Sequence, residues 1–346
     1  MSNEKDLAEQ HQSGGVGGKL VPITDAARRA DDDAKRLLTV RQLLQGAEER
    51  AKSERVKVCT FGHAEIDNDT GGVMPGFVWV FGADTSWGKS SLGVMLVDEN
   101  IKAGKRCLIV SAEDAESLYG DRLMCRRSRV NASRLLLKNL NDYEQAQVAR
   151  VAAVSEDVPV FLDARGKSAE WAGQQVKKLI RLEKIDLVLY DYLQAFDNQR
   201  AQQDRRNSLT YIARVLTDAV KSENIAGVIY SQITVSDAKG GKKHPDKHSI
   251  RDSRDVSNAA EVVALGFVPE NGIKSKHGGW RVEPGKRAVL LDKVKNGVAK
   301  RFYSMKWDDN SACFDAVKDA EQERLEQMAD EMARENGTDD EELWDN

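Results

Sequence analysis

The stretch Gly82-Ala83-Asp84-Thr85-Ser86-Trp87-Gly88-Lys89-Ser90-Ser91 constrains the fold more than any other part of the chain. An apolar run at residues 78–81 leads into it, and a helix-compatible run at 92–97 follows. Strand, glycine-containing turn and helix start are the parts of a phosphate cradle. Lys89 is expected to reach the β- and γ-phosphates of a nucleotide, and the Ser90 hydroxyl to ligate Mg²⁺. The backbone N–H groups of residues 83–91 would hold the phosphate oxygens. The fit to G-x-x-x-x-G-K-[ST] is imperfect, because its first position is Ala83 and Gly82 falls one residue early. A plain strand-to-helix turn with a chance lysine is the competing reading.

Length and composition narrow the class. At 346 residues the chain can build one large α/β domain with appendages, or two smaller domains. No apolar run approaches the roughly 20 residues of a membrane span. The first residues lack a basic segment followed by an apolar one, so no export signal is expected. Cys59, Cys107, Cys125 and Cys313 are scattered and read as reduced thiols of a cytoplasmic protein, not as a disulfide frame or zinc ribbon. The net charge of -4 argues against a nucleic-acid partner only superficially. The acids concentrate at the C-terminus, in Asp339-Asp340-Glu341-Glu342, while basic clusters lie in loops.

Residues 1–22 are polar and glycine-containing and are expected to be disordered. Residues 23–57 read as a linker helix region, with Leu37, Leu38, Val40, Leu43 and Leu44 at helical spacing. Its apolar face needs cover, from its own domain or from a neighbouring subunit. Strands are expected at 78–81, 106–111, 159–163, 186–191, 227–232, 262–268 and 288–291, with a hairpin ending at 302–307. Helical segments alternate with them at 115–153 (broken near Asn131), 169–183 and 208–223. Such alternation predicts an α/β fold: a mostly parallel twisted sheet with helices on both faces. Residues 58–315 form this domain, and 316–346 form a helix-prone, acidic tail.

Ligands of parallel α/β sheets sit at the carboxyl ends of the strands. Asp191 closes one expected strand and would hold Mg²⁺, directly or through water. Glu113 follows another and would polarise a water for attack on the γ-phosphate. Gln232 closes a third and would sense the γ-phosphate. Singly, each has a plainer reading, since acids at strand ends often cap the next helix. Together with Lys89 they make a coherent set.

This arrangement resembles the RecA-like ATPase domain of DnaB-type replicative helicases of superfamily 4. Ala83-Asp84-Thr85-Ser86-Trp87-Gly88-Lys89-Ser90 is similar to that family's A-x-P-S-M-G-K-T loop, so the displaced glycine is a family trait. Thr70-Gly71-Gly72-Val73-Met74-Pro75-Gly76 resembles T-G-G-L-x-x-G, and Ser111-Ala112-Glu113 resembles S-L-E. Asp191-Tyr192-Leu193-Gln194 matches D-Y-L-Q, the Walker B segment, and Ser231-Gln232-Ile233 resembles S-Q-L. Ile250-Arg251-Asp252-Ser253 is similar to L-R-E-S, and Lys293-Val294-Lys295-Asn296-Gly297 to K-x-R-N-G. All occur in family order between about residues 58 and 315.

The resemblance implies an ATP- and Mg²⁺-dependent DNA helicase, a homo-hexameric ring acting on single-stranded and forked DNA during replication. It implies a primase, helicase loader or single-strand-binding protein as partner, with no membrane. Lys293 and Lys295 would reach the neighbouring subunit's nucleotide. Lys295 stands where the family has an arginine finger, and lysine lacks the planar fork of arginine. DNA contact is expected from the lysine-rich loop with Lys239, Lys242, Lys243 and Lys247, and from Arg251 and Arg254. The family's N-terminal collar domain has no counterpart before residue 58, which suits a phage or mobile-element protein. Two rivals stay open: a filament-forming recombinase or repair ATPase, and an oligomeric regulatory ATPase that does not translocate. His244 and His248 flank Pro245 in a loop and are not expected to bind a metal. Trp280 and Arg281 read as a surface hairpin.

Overall fold

A computed structural model of the chain describes residues 39–52, 58–197, 205–233, 244–250, 254–275, 279–319 and 323–324. Contacts divide the chain into two units, Met1–Lys57 and Val58–Asn346. In the first, α1 (Val40–Lys52) is capped by Thr39, whose Oγ1 accepts from the Gln42 N–H at 3.2 Å while Gln42 Oε1 accepts from the Thr39 N–H at 2.8 Å. Val40, Leu43 and Leu44 on this helix are exposed. The stretch expected to be disordered, 1–22, lies outside the described residues, as does nearly all of the acidic tail.

The second unit opens with α2 (Ala64–Thr70), which ends at Gly71. Then come β1 (Val78–Ala83), α3 (Lys89–Lys102), β2 (Cys107–Ser111), α4 (Glu116–Ser128), α5 (Ala132–Leu136) and α6 (Asp142–Ala153). β3 (Phe161–Asp163), α7 (Ala169–Glu183), β4 (Leu187–Asp191), α8 (Arg205–Ser222) and β5 (Ala226–Gln232) follow. The chain continues through α9 (Arg254–Ala259), β6 (Val262–Phe267), the hairpin β7 (Ile273–Lys274) and β8 (Trp280–Val282), then β9 (Ala288–Val294) and β10 (Arg301–Ser304). A small pair, β11 (Lys306–Asp308) and β12 (Cys313–Asp315), ends the regular structure.

The main sheet has 8 strands in the order β10-β9-β6-β1-β5-β4-β2-β3. From β6 to β3 all neighbours are parallel; at the other edge β9 runs antiparallel to β6, and β10 antiparallel to β9. Strand alternation explains the two-sided core. On β1, Trp79 and Phe81 point to the face covered by α3, with Met95 and Leu96. Val78 and Val80 point to the face covered by α7 and α8, with Val176, Ile212 and Leu216. The expected strands are all present, with β9 reaching three residues further than its apolar run, to Val294.

The helical stretch after β2 is broken twice. Asn131 caps α5 by accepting from the Arg134 N–H at 3.0 Å, at the expected break. A second break comes at Asn141, which forms a capping box with Glu144 (2.8 and 2.9 Å). α4 is locked to α3 by buried ion pairs: Asp98 accepts from Arg126 Nε at 2.9 Å and from Arg127 Nε at 2.7 Å. All four cysteines are buried and unbridged. Among the described residues no helix is long and apolar enough to cross a membrane.

Candidate active site

Parallel pairing brings four strand ends to one edge. Ala83 of β1 stands opposite Gln232 of β5, and Ser111 of β2 stands opposite Asp191 of β4. The phosphate loop leaves β1 at this edge. Gly88 takes φ 103°, a left-handed conformation that side-chain-bearing residues rarely adopt, and no side chain caps the helix it begins. An uncapped helix start with its dipole is a site for an anion.

Lys89 is buried, and its ammonium donates to the Ala83 and Asp84 carbonyls at 3.0 and 3.1 Å. It is therefore folded back on the loop's own backbone. Burial pushes its pKa below the ordinary lysine value, opposed by the carboxylates of Asp191, Glu113 and Asp84. Ser90 Oγ donates to Asp191 Oδ2 at 2.9 Å. Asp191 is only 2% exposed, and a second hydroxyl, that of Tyr119 on α4, donates to the same oxygen. Burial raises the Asp191 pKa, and those two hydrogen bonds oppose the rise.

Glu113 follows β2 and reaches solvent. Partial desolvation lifts its pKa, reinforced by the charges of Asp191 and Asp114. Asp114 is held by Arg122 at 2.8 Å, and its carbonyl accepts from Ser111 Oγ at 2.7 Å. Gln194, just past β4, clips the end of β5: its Nε2 donates to Ser231 Oγ at 2.8 Å and its Oε1 accepts from the Gln232 N–H at 3.2 Å.

The remaining loop residues divide. Asp84, Thr85 and Ser86 line the turn, with the Thr85 N–H donating to Asp84 Oδ1 at 2.7 Å. Trp87 turns its side chain into the core, with ring centroids 5.2 Å from Phe81 and 4.8 Å from Phe314, and its Nε1–H donates to the Phe267 carbonyl at 3.1 Å. Only its main chain faces the loop, and its carbonyl accepts from Arg287 Nε at 2.9 Å. The Ser91 hydroxyl donates to the Ala312 carbonyl at 3.1 Å, away from the strand ends. Arg287 lies 3.7 Å over the Trp307 ring, which itself abuts Gly88.

Lys293 and Lys295 are not brought to this edge. The Lys295 N–H donates to the Glu261 carbonyl, and the Glu261 N–H to the Val78 carbonyl, at 2.9 and 3.0 Å. Lys295 is thus level with the start of β1, about 17 Å of strand from Ala83 at ~3.3 Å per residue. Lys293 Nζ donates to the carbonyls of Ser257, Asn258 and Ala260 at 3.0, 3.1 and 2.6 Å, closing the C-terminal end of α9. Lys295 is 61% exposed and 3.8 Å from Glu261.

Of the residues expected to contact DNA, Lys239, Lys242, Lys243 and Arg251 lie outside the described residues, as does the side chain of Arg254. Lys247 is exposed on a short 3-10 turn, Lys247–Ser249. His244 packs edge-on against Phe302, with centroids 5.0 Å apart. Tyr119, Arg287 and the clip made by Gln194 were not foreseen from the residues alone. Tyr119 reads in sequence as an ordinary apolar-face residue of an amphipathic helix.

A parallel sheet with a glycine-turned phosphate loop, a lysine within it, and a serine bonded to a strand-end aspartate defines a RecA-like nucleotide-binding domain. The chain belongs to the family of the DnaB-like helicase C terminal domain, whose model matches residues 59–316. It is 23% identical over 241 residues to the replicative DNA helicase DnaB of Buchnera aphidicola subsp. Baizongia pistaciae (strain Bp), a match covering 68% of this chain and 51% of that protein. To the DnaB of Haemophilus influenzae (strain ATCC 51907 / DSM 11121 / KW20 / Rd) it is 20% identical over 270 residues, covering 77% and 56%. The chain spans about half the length of the curated relatives it matches.

Two solved structures share the fold. One, described as an ATPase domain, superposes with a TM-score of 0.70 at 16% identity, covering 81% of this chain and 99% of that one. The other, a DnaB-like replicative helicase described with its interactions with primase, gives 0.69 at 16% identity, covering 86% and 73%.

Proposed function

We propose that this protein is an ATP-dependent DNA helicase that works as a homo-hexameric ring, translocating on single-stranded DNA and opening forked duplex during replication. The observation that carries the reading is the gathering of Lys89, Ser90, Asp191, Glu113 and Gln232 at the carboxyl ends of adjacent parallel strands, within a chain that belongs to the DnaB-like family.

The site fits MgATP by its own chemistry. The helix start after Gly88 carries no side-chain cap, a buried ammonium sits in the loop, and Ser90 and Asp191 offer hard oxygen donors. When bound, Mg²⁺ neutralises phosphate charge during transfer. Residues 83–91 bind the phosphates through backbone N–H groups, and Lys89 exchanges its two carbonyls for phosphate oxygens. Glu113 takes a proton from the attacking water; its pKa, raised by partial desolvation and the charges of Asp191 and Asp114, makes it a stronger base for that proton than an ordinary carboxylate. Gln232 reads the γ-phosphate and passes its state to the loop after β5. The Gln194 clip supports this coupling, because it ties the Asp191 segment to Gln232.

Lys293 and Lys295 lie at the far edge of the sheet from their own loop, which supports action on a neighbour's nucleotide. The exposed Lys295 suits that role better than Lys293, whose ammonium already holds three carbonyls. Single-stranded and forked DNA, a primase, a helicase loader or a single-strand-binding protein, and a reducing cytoplasm complete the proposal.

The test is ATP turnover and strand displacement on forked DNA, with mass measurement of the assembly. Lys89→Ala abolishes nucleotide binding. Glu113→Gln keeps binding and loses turnover by about 10²–10⁴-fold. Robust unwinding by Glu113→Gln overturns its role. A protein whose turnover ignores single-stranded DNA is an oligomeric regulatory ATPase instead, and helical filaments in place of closed rings mark a recombinase.

A further inference from the structure

We propose that Tyr119 is a positioning residue for Asp191, a phenol supplied by α4 that keeps the carboxylate oriented when Ser90 turns its oxygen to the metal. The inference rests on the reading of Ser90 and Asp191 as metal ligands given above.

Asp191 Oδ2 accepts two hydroxyl hydrogen bonds, from Ser90 and from Tyr119. The two donors are not equivalent. The serine stands in the first turn of the helix that follows the phosphate loop, and its role as a ligand takes its hydroxyl away from Asp191. Asp191 is 2% exposed, so no bulk solvent replaces that bond. A buried carboxylate left without donors is free to turn out of the direction in which it would hold a metal. Tyr119 comes from a different element and has no ligand role. Its phenol reaches Asp191 from a helix other than the one that carries the phosphate loop, so it stays in place as a donor when Ser90 turns away.

The placement of Tyr119 is built in. α4 is tied to α3, the helix carrying Ser90, through the buried pairs of Asp98 with Arg126 and Arg127. The Tyr119 ring lies 5.4 Å from Phe161, with the Arg122 guanidinium 5.6 Å from its centroid. The ring also borders an apolar cavity of about 120 Å³, lined by Val94, Val97, Ile109 and Leu123. Packing therefore does not enclose it on every side, and the hydroxyl contact sets its direction. Arg122 holds Asp114 beside Glu113, so one short helix steadies both carboxylate segments of the site.

The experiment compares the full chain with Tyr119→Phe, reading binding of a fluorescent N-methylanthraniloyl-ADP in EDTA and across a Mg²⁺ titration. The expected result is unchanged affinity in EDTA and a half-saturating Mg²⁺ concentration raised about tenfold, in the range for partners that orient a metal ligand. The KM for ATP at saturating Mg²⁺ stays as in the wild type. A Mg²⁺ midpoint within twofold of wild type overturns the inference, as does an equal loss of affinity with and without Mg²⁺, which marks a merely structural role. If the phenylalanine variant folds poorly, Tyr119→Met, which also lacks the hydroxyl, is measured in its place: a raised Mg²⁺ midpoint with unchanged affinity in EDTA is expected, and a midpoint within twofold of wild type refutes the inference. Wild-type binding that is indifferent to Mg²⁺ overturns the ligand reading itself, whereas a Mg²⁺-dependent wild type matched by Tyr119→Phe overturns this inference alone.

Discussion

Replacing Gly266 by alanine tests whether the buried indole of Trp87 sets the phosphate loop. A Cβ at position 266 would stand 2.7 Å from Trp87 Cε2, 2.8 Å from its Cδ2 and 3.0 Å from Phe81 Cζ. These are ring atoms with little room to retreat. Trp87 is pinned by its Nε1–H bond to the Phe267 carbonyl at 3.1 Å and by the Phe314 ring, with centroids 4.8 Å apart. Gly266 is not among the residues with positive φ, so the penalty is one of space and not of backbone strain. Overpacking of this kind costs about 1–3 kcal/mol, while reduced freedom of the unfolded chain returns about 0.4–1 kcal/mol. The net expectation is a loss of about 1–2 kcal/mol, read from urea unfolding followed by circular dichroism. Displacing the indole also displaces Gly88 and Lys89, so nucleotide affinity falls with stability. Trp87→Phe removes the ring atoms that clash. The double variant should therefore be more stable than the two single losses predict, by about 1 kcal/mol. A neutral or stabilising Gly266→Ala, or strict additivity with Trp87→Phe, refutes the reasoning.

Asp67 on α2 accepts from Thr60 Oγ1 and from the Phe61 N–H at 2.7 Å, and burial pushes its carboxyl up to about 6. The folded state then keeps a proton that the unfolded chain releases near pH ~4, so this stabilisation is full below about pH 4 and is lost as pH rises through about 6, roughly 3 kcal/mol in all. In Asp67→Asn that slope disappears from urea midpoints taken between pH 4 and 7, and its persistence would remove Asp67 as the cause. Lys293→Met strands the carbonyls at the end of α9 and should lower stability by about 1–3 kcal/mol, whereas Lys295→Met should stay within about 0.5 kcal/mol. If Lys295 acts across an interface, its loss lowers turnover in the assembled protein only; an equal effect in dissociated subunits counts against it.

Much of the fold was legible because its signals are local. The runs at 78–81, 106–111, 186–191 and 227–232 are apolar on both faces, as strands covered on both sides must be. Asn131, near the expected break, caps α5 with its own side chain, a signal spanning three residues. The capping box at Asn141 and Glu144 was equally local, yet it was hidden inside a long polar, helix-prone stretch. Membership of the loop was legible for Trp87 and Ser91, but the direction of their side chains was not. A tryptophan next to a glycine turn reads as a loop residue until Phe81, Phe314 and Gly266 close around it.

By itself the sequence determined a nucleotide-binding parallel sheet and the four strand ends at its working edge. Strand alternation, a glycine turn after β1 and the polar residues that close β2, β4 and β5 depend on neighbours a few positions apart. Tertiary structure alone decided who holds whom at that edge. Tyr119 meets Asp191 across 72 positions, Gln194 meets Ser231 across 37, and Arg287 meets the Trp87 carbonyl across 200. It also separated Lys293, which closes a helix, from Lys295, which stands exposed. A hydroxyl or guanidinium carries no mark in sequence of the acceptor it will find, because that acceptor is brought to it only when the sheet and its covering helices pack.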